Sequence, residues 1–219
     1  MIKKTAIIIG ATGLVGFNLV QKILEDERFS FVVVFVRRTT GIHHPKLIEH
    51  IINFNEPQKW RQLIRGDVLF SALGTTLKQA GSKQAQYKID YTYQYNFAKA
   101  AAENGVPVYV LVSSAMANAN SSFFYTRIKG ALEDAVKKLL FRSVQILQPG
   151  MLTGLRKKKR IGEKIGIAVI KFLNNLGIAK KQKPIDAAIV AQAMINVSFR
   201  EEEKIGVYSL LQVFEAAEK

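Results

Sequence analysis

The chain has 219 residues, 48% of them hydrophobic and 22% charged, so it is long enough to bury a continuous core and is expected to form one globular domain. It contains no cysteine, which excludes disulfides, thiolate catalysis and thiolate metal sites. Lysine and arginine outnumber aspartate and glutamate by 32 to 17, and the net charge of +15 predicts attraction to phosphorylated ligands or other anions.

Strand and helix patterns alternate along the first two thirds of the chain. Short apolar, β-branched runs predict strands at 5–9, 31–36, 47–52, 68–70, 106–112 and 144–147. Helical spacing of apolar residues predicts helices at 14–24, 84–103 and 123–140. This alternation is typical of a parallel sheet with helices on both faces, so we predict an α/β, doubly wound (Rossmann) fold.

The alternation weakens after residue 150. Residues 162–176 and 185–197 have helical patterns, 207–211 reads as a short strand, and a polar helix ends the chain. No repeat or flexible linker separates this part from the rest. We therefore predict one domain, 1–219, in which residues 151–219 contribute a small cap on the substrate side.

The N-terminal segment has the basic and apolar character of a signal peptide. We reject that reading because Gly10, Gly13 and Gly16 interrupt the apolar run and have another use. No uncharged apolar stretch reaches transmembrane length. Together with the absence of cysteine, these features predict a soluble, cytoplasmic protein.

Three glycines follow the first predicted strand and open the first predicted helix. In this position glycines permit a tight turn and close approach of backbone to a pyrophosphate, while helix N-terminal amides face the phosphates. The spacing is GxxGxxG, and a glycine-rich turn without a ligand is the alternative. The candidate dinucleotide-binding residues are Gly10, Thr12, Gly13, Leu14, Val15 and Gly16.

Two arginines, Arg37 and Arg38, follow the second predicted strand. NAD enzymes usually place an acidic residue there, on the ribose 2′-hydroxyl. A guanidinium instead offers charge-assisted hydrogen bonds to a 2′-phosphate, so NADP(H) is preferred over NAD(H). The alternative is that both are surface arginines of a basic chain.

Residues after the fourth predicted strand also suit a cofactor crevice. Leu73, Gly74 and Thr75 lie at the carboxyl end of that strand, and glycine lets the backbone approach a ligand. A plain turn explains this stretch equally well.

Candidate catalytic groups follow the fifth predicted strand. Ser113 and Ser114 end it, and Tyr125 and Lys129 stand four residues apart in the next helix, on one face. A nearby ammonium lowers the pKa of a phenol, which makes Tyr125 a usable acid and base. Tyr95 and Lys99 have the same spacing, but they lie on the preceding helix and follow no serine pair.

These motifs together resemble the atypical short-chain dehydrogenase/reductases, especially the branch of Tat-interacting-protein-like NADPH-binding oxidoreductases. The resemblance spans nearly the whole chain and includes Gln148-Pro149-Gly150. It implies that Tyr125 donates a proton, that Lys129 holds the nicotinamide ribose and tunes Tyr125, and that Ser114, with Ser113 as the alternative, orients a carbonyl. Further cofactor contacts implied by the resemblance are Asn53, Phe54, Ser113, Pro149, Gly150 and Leu152.

The chain departs from the family pattern at two positions. Asp90 stands where many members carry a catalytic asparagine, and Asn53 stands where an aspartate often contacts adenine. The branch is also associated with regulatory roles. The predicted function is reduction of a small carbonyl substrate with NADPH, and the alternative is an NADP(H)-binding regulatory protein.

Three remaining features bear on partners. The basic run 156–160 is expected to be a solvated surface, although an acidic partner, a nucleic acid or a membrane surface remains the alternative.

Tyrosines recur every four residues at Tyr87, Tyr91 and Tyr95. This stripe is expected to pack in the core, with a homodimer face as the alternative. His43, His44 and His50 lack metal-ligand spacing, so we predict no metal site.

Overall fold

The computed structural model describes residues 3–154, 184–200 and 202–218. Within these residues the strands are β1 (Lys4–Ile9), β2 (Phe29–Val36), β3 (Leu47–Ile51), β4 (Val68–Ser71), β5 (Val108–Val112), β6 (Ser143–Gln148), β7 (Leu152–Thr153), β8 (Ile185–Asp186) and β9 (Ile205–Ser209). Seven of them form one sheet in the order β3-β2-β1-β4-β5-β6-β9, and every pairing is parallel. The short strands β7 and β8 pair with each other.

Helices connect the strands and cover the sheet. The described ones are α1 (Leu14–Glu25), α2 (Pro57–Trp60), α3 (Leu77–Ala80), α4 (Lys83–Tyr87), α5 (Gln94–Glu103), α6 (Phe124–Val136), α7 (Ala187–Val197) and α8 (Leu211–Glu218). A π-helical segment, Lys88–Tyr93, joins α4 to α5 without a break. In the described part of the chain, no helix combines the length and the apolar character needed to cross a bilayer.

Burial on both faces explains the continuous apolar strands. In β1, Ala6 and Ile8 point into the core beneath α1 and α7, whereas Ile7 and Ile9 point into a second core beneath α5 and α6. All four side chains are fully buried. The sheet is therefore sandwiched between two helical layers, and the predicted doubly wound fold is confirmed.

The structure revises the predicted role of the C-terminal part. The strand predicted at 207–211, as part of a cap, lies at Ile205–Ser209 and pairs with β6 as the seventh strand of the main sheet. Helices α7 and α8 pack against each other, and α7 packs against α1. Residues of α7, α8 and β9, such as Met194, Val213 and Tyr208, are buried in the same apolar cluster as β1 and α1, which explains why this part extends the main sheet and its helical layer. The predicted helix 162–176 and the basic run 156–160 lie outside the described residues.

The tyrosine stripe is only partly buried, which differs from the expectation of core packing. The rings of Tyr87, Tyr91 and Tyr95 stack in sequence, with centroids 4.9 and 5.9 Å apart. Tyr87 is 41% exposed, while Tyr91 and Tyr95 pack against the second core. A homodimer through this face stays a prediction.

A buried polar network joins β9 to β6. The Tyr208 hydroxyl lies 2.9 Å from Gln145 Oε1 and 2.9 Å from a Glu203 carboxylate oxygen. Gln145 is fully buried, and its amide nitrogen donates to Ser143 Oγ at 2.7 Å. The network satisfies polar groups that would otherwise be costly to bury between the last two strands.

Replacing Tyr208 by Phe should destabilise the protein because buried Gln145 Oε1 loses its hydroxyl donor. The expected loss is about 1–3 kcal/mol in the free energy of unfolding, measured by urea denaturation. Tyr93→Phe is the matched control, since the Tyr93 hydroxyl bonds the exposed side chain of Asn55 at 2.8 Å. That control should cost less than about 0.5 kcal/mol. Equal losses in the two variants would contradict the role assigned to the network.

Candidate functional site

The loops that carry the predicted site residues meet at the carboxyl edge of the sheet. The strand order reverses at β1, so the chain leaves β1 towards one side and β4 towards the other, and a crevice opens between them. The loops after β1, β2, β3, β4, β5 and β6 contain, in turn, residues 10–13, 37–38, 53–54, 72–76, 113–116 and 149–150. The fold thus gathers all six predicted segments along one edge.

The turn after β1 depends on two glycines. Gly10 has φ +85°, and a side chain there would collide with the backbone of Ala72 and Leu73 after β4. A side chain at Gly16 would collide with the Gly10 carbonyl. These close approaches pack the start of α1 tightly against the end of β1.

The N-terminus of α1 is suited to an anion. Gly13 is its N-cap residue, no side chain caps the helix, and the first turn has no acidic residue. Thr12 is exposed, whereas the Val15 side chain is buried in the core, so Val15 could contribute only its backbone N–H. The observed geometry fits a pyrophosphate held by backbone amides.

A cavity of about 380 Å³ lies beside the loops after β2 and β3. Arg37, Asn53 and Phe54 line it, together with Ala85 of α4 and Ile89 of the π-helical segment. Within the described residues neither Arg37 nor Arg38 is in an ion pair, and both are exposed. Arg37 is therefore available to a ligand in the cavity, whereas Arg38 is not among its lining residues.

The Phe54 ring is more buried than a freely exposed stacking platform would be. It is 5% exposed, and its centroid lies 5.3 Å from that of Tyr93 and 5.9 Å from that of Phe97. The Asn53 side chain accepts hydrogen bonds from the Asn55 backbone and side-chain amides at 3.0 and 3.1 Å. Core packing thus fixes the Phe54 ring, and hydrogen bonds within the loop fix the Asn53 side chain.

The turn after β4 is anchored to Asp90 of the π-helical segment. The Thr75 N–H lies 3.3 Å from both carboxylate oxygens, and the Gln86 side chain donates to the Thr75 carbonyl at 3.4 Å. Gly74 is exposed, and a Cβ atom added there would lie 3.2 Å from Asp90 Oδ1. The absence of a side chain at Gly74 lets the turn lie directly over the carboxylate.

Asp90 forms a buried ion pair with Lys129. Lys129 Nζ lies 3.3 Å from Asp90 Oδ1, and the two side chains are 4% and 0% exposed. Burial raises the pKa of Asp90 above its ordinary value, an effect that Lys129 and the Thr75 N–H only partly offset. Burial disfavours the Lys129 ammonium, but the combined attraction of Asp90, Tyr125 and Glu133, with Asp90 contributing most, outweighs that cost and raises the pKa of Lys129. The pair holds a charged amine inside the site.

Tyr125 lies one helical turn before Lys129 on α6 and is half-buried. Tyr125 is one of the groups whose electrostatic interaction raises the pKa of Lys129. By contrast, Lys99, which has the same spacing from Tyr95, lies at the surface near Glu103, with 55% of its side chain exposed. The structure therefore distinguishes the two Tyr-x-x-x-Lys pairs by the burial of their lysines.

The two serines after β5 have different surroundings. Ser113 is 6% exposed, and its hydroxyl has no hydrogen-bond partner within the described residues. Ser114 is half-buried and donates to the Ala115 carbonyl at 3.4 Å. The Ala115 N–H donates to the carbonyl of buried Pro149 at 3.0 Å, which ties this loop to the loop before Gly150.

The last predicted contact, Leu152, begins the short strand β7 and is 37% exposed. Beyond β7, a Cβ atom added at Gly154 would lie 3.4 Å from Leu14 Cδ1. The segment after β6 therefore returns to the start of α1, beside the glycine turn.

Some residues of the site were missed by sequence reasoning. Gln94, which is fully buried, accepts from Ser71 Oγ at 2.7 Å and donates to the Asp90 carbonyl at 2.8 Å. Gly130 follows Lys129, and a side chain there would collide with the backbone of Asn118 and Ala119. A glycine inside a predicted helix was a usable signal for close packing, whereas nothing in the pattern marked Gln94.

The histidines have roles in local structure. His44 Nδ1 accepts from the Lys46 N–H at 3.1 Å, and the His50 ring lies 4.9 Å from that of Phe35. Across the residues that the structure describes, no three His, Cys, Asp or Glu side chains form a group that could hold a metal ion.

A family profile described as NAD(P)H-binding matches residues 10–197. The chain belongs to this family. The assignment to the atypical short-chain dehydrogenase/reductases is thereby confirmed, and the chain carries an NAD(P)-binding domain of the oxidoreductase type.

Curated fungal proteins are similar over most of their length. A protein of Candida albicans named FMP52, mitochondrial, is 38% identical over 195 residues, which cover 86% of this chain and 85% of that protein. FMP52-1, mitochondrial, of Scheffersomyces stipitis is 35% identical over 220 residues, with 98% and 96% coverage.

Solved structures share the fold at low sequence identity. The enzyme WbmH of Bordetella bronchiseptica in complex with NAD+ has a TM-score of 0.72 and 18% identity, covering 94% of this chain and 75% of that one. The UDP-glucose 4-epimerase of Thermotoga maritima has a TM-score of 0.70 and 12% identity, covering 96% and 80%. These similarities show that the architecture is the same.

The predicted cytoplasmic location is wrong. The similar curated proteins of C. albicans, S. stipitis and Aspergillus fumigatus are all named as mitochondrial, which points to mitochondria. The inference failed because the absence of cysteine and of a transmembrane stretch is compatible with several compartments. The regulatory alternative stays a prediction, since the basic run 156–160 on which it depends lies outside the described residues.

The Asp90–Lys129 pair should make stability depend on pH at the alkaline end. Because the pKa of Lys129 is raised above 10.5, its stabilising contribution is fully present below that pH and is lost as the pH rises beyond it. The difference in unfolding free energy between the wild type and Lys129→Met should therefore shrink above about pH 10.5. Urea denaturation of both proteins at several pH values measures this difference in unfolding free energy. A difference that stays constant with pH would contradict the raised pKa of Lys129.

Proposed function

We propose that the protein is an NADP(H)-dependent oxidoreductase that reduces a small carbonyl substrate with Ser114, Tyr125 and Lys129. The observation that carries the proposal is the position of Lys129: a Cβ atom added at Gly74 would lie 3.8 Å from its Nζ. The buried ammonium is thus beside the turn that would line a dinucleotide, one helical turn from Tyr125. A plain structural ion pair would not require this position.

When bound, the nicotinamide supplies hydride to the carbonyl carbon. The Tyr125 hydroxyl donates a proton to the carbonyl oxygen, and the Ser114 hydroxyl donates a hydrogen bond to the same oxygen. The Lys129 ammonium would hold the nicotinamide ribose, and it would stabilise the negative charge left on the Tyr125 oxygen after the proton is donated. Ser113, whose buried hydroxyl lacks a partner within the described residues, is the alternative serine.

The remaining proposed contacts belong to the cofactor. The amides that begin α1, with Gly10, Thr12 and Gly13, would hold the pyrophosphate. Leu73, Gly74 and Thr75 would lie along the dinucleotide, and Pro149, Gly150 and Leu152 would border its nicotinamide end. The cavity lined by Arg37 and Asn53 would take the adenosine, with Arg37 against the 2′-phosphate and Arg38 nearby.

The Arg37→Ala variant should lose its preference for NADPH. Removal of a charge-assisted hydrogen bond to the 2′-phosphate is expected to raise the Kd for NADPH about ten- to hundredfold, while the Kd for NADH stays within about threefold. Titration with each nucleotide, followed by nicotinamide fluorescence, measures both constants. Arg65→Ala is the control because it removes the same charge from an exposed position at the opposite, amino end of β4. Binding of neither nucleotide by the wild type would refute the cofactor assignment.

The Tyr125→Phe variant should bind NADPH with unchanged affinity and lose about 10²- to 10⁴-fold in turnover, because only the proton donor is removed. A screen of small aldehydes and ketones, monitored by NADPH oxidation, provides the assay. Tyr95→Phe is the matched control, since Tyr95 begins the Tyr-x-x-x-Lys pair whose lysine is exposed, and it should retain activity. Full activity in Tyr125→Phe would rule out the mechanism.

A further inference from the structure

Asp90 is the most deeply buried charged group of the site. It belongs to the π-helical segment Lys88–Tyr93, a rare helical form that recurs at functional positions. Its side chain is fully buried, and its two carboxylate oxygens are shared between Lys129 Nζ and the Thr75 N–H. One carboxylate therefore contacts both the catalytic helix α6 and the turn that would line the cofactor.

The backbone around Asp90 is itself fixed. Gln94 donates to the Asp90 carbonyl at 2.8 Å and accepts from Ser71 Oγ, at the end of β4, at 2.7 Å. All three side chains are fully buried. This chain of hydrogen bonds attaches the π-helical segment to the strand that precedes the turn, so the carboxylate has little freedom to move.

Lys129 requires a fixed negative charge. A buried ammonium without a counter-ion is strongly disfavoured, and among the described residues Asp90 is the only carboxylate within ion-pair distance of Nζ. Tyr125 and Glu133, both on α6, also act on Lys129 electrostatically. The Glu133 carboxylate, however, accepts two hydrogen bonds from Gln148 at 3.0 Å.

We propose that Asp90 is a positioning residue, which fixes the Lys129 ammonium beneath the Leu73–Thr75 turn and so sets where the cofactor and Tyr125 meet it. This inference rests on the proposed function, in which Lys129 binds the nicotinamide cofactor. The asparagine that the family resemblance leads one to expect at this position could accept the Thr75 N–H but would supply no charge. In this chain the charge of Lys129 is therefore balanced within the site before any ligand arrives.

The first test follows Lys129 directly and needs neither cofactor nor turnover. NMR titration of protein carrying 13C-labelled lysine, with the Lys129 signal assigned by its loss in Lys129→Met, reports the pKa of the amine. In Asp90→Asn that pKa should fall by at least about one unit, because the buried ammonium loses its counter-ion. Asp134→Asn is the control. It removes a carboxylate from α6, the helix that carries Lys129, but this side chain is 58% exposed, so the Lys129 titration should stay unchanged.

The second measurement tests whether the position of the Lys129 ammonium affects the affinity for NADPH. Asp90→Asn should weaken NADPH binding about tenfold, and Asp90→Glu should recover part of the affinity because it restores the charge. An unchanged Lys129 titration in Asp90→Asn would overturn the inference whatever the protein does with cofactors. A shifted titration with unchanged NADPH affinity would also overturn it, by reducing the pair to a structural contact. Failure of the wild type to bind NADPH would instead refute the proposed function.

A double variant keeps the proposal testable if the single variants Asp90→Asn and Lys129→Met fail to fold. Asp90→Asn combined with Lys129→Met removes both charges, so no lone buried charge remains, and it should be more stable than either single variant. If it folds, as judged by near-UV circular dichroism, but binds NADPH no better than Lys129→Met, Asp90 acts through Lys129 as proposed. Recovery of binding in the double variant would contradict the proposal.

Discussion

The organisation of this protein depends on how closely the end of β1 approaches the end of β4. The Gly10 backbone, at φ +85°, lies against the backbone of Ala72 and Leu73, where no side chain would fit. At this point the strand order reverses, so the chain diverges to both sides of the sheet and leaves a crevice. The start of α1, the Leu73–Thr75 turn and the cavity lined by Arg37 are all arranged around that contact.

The second constraint is electrostatic. A basic chain with a net charge of +15 places one of its lysines inside the protein, where an ammonium is costly unless it is paired. Asp90 balances it from a π-helical segment that is hydrogen-bonded to β4 through Gln94. The ion pair therefore connects strand β4, the turn over it and helix α6, and this connection gives Lys129 one defined position near Tyr125.

Membership of the NAD(P)H-binding family and the architecture shared with sugar-nucleotide epimerases are consistent with this arrangement. Identity to those enzymes is as low as 12%, yet the sheet and its helical layers persist. Apolar strands buried on both faces can be built from many sequences, while chemistry depends on the loops at the carboxyl edge. The fold therefore supports binding of a dinucleotide more firmly than it supports any particular substrate.

Sequence patterns alone predicted the layered fold and the segments that the sheet brings together at its carboxyl edge. The predicted site residues all follow strands or lie near the start of helices: the glycines, Arg37, the Leu73–Thr75 turn, the serines, and Tyr125 with Lys129. A parallel sheet brings such positions to one edge. Local periodicity, turn-forming glycines and strand alternation are properties of short stretches, so they can be read from the chain.

The long-range contacts of the site and the position of the last strand could not be predicted from the sequence. The pairing of Asp90 with Lys129, the attachment of Gln94 to Ser71, and the incorporation of Ile205–Ser209 as the seventh strand all join residues far apart in sequence. The burial that separates Lys129 from surface-exposed Lys99 is equally invisible in a four-residue spacing. Which buried polar group meets which partner depends on how the helical layers pack on the sheet, and no local pattern encodes that packing.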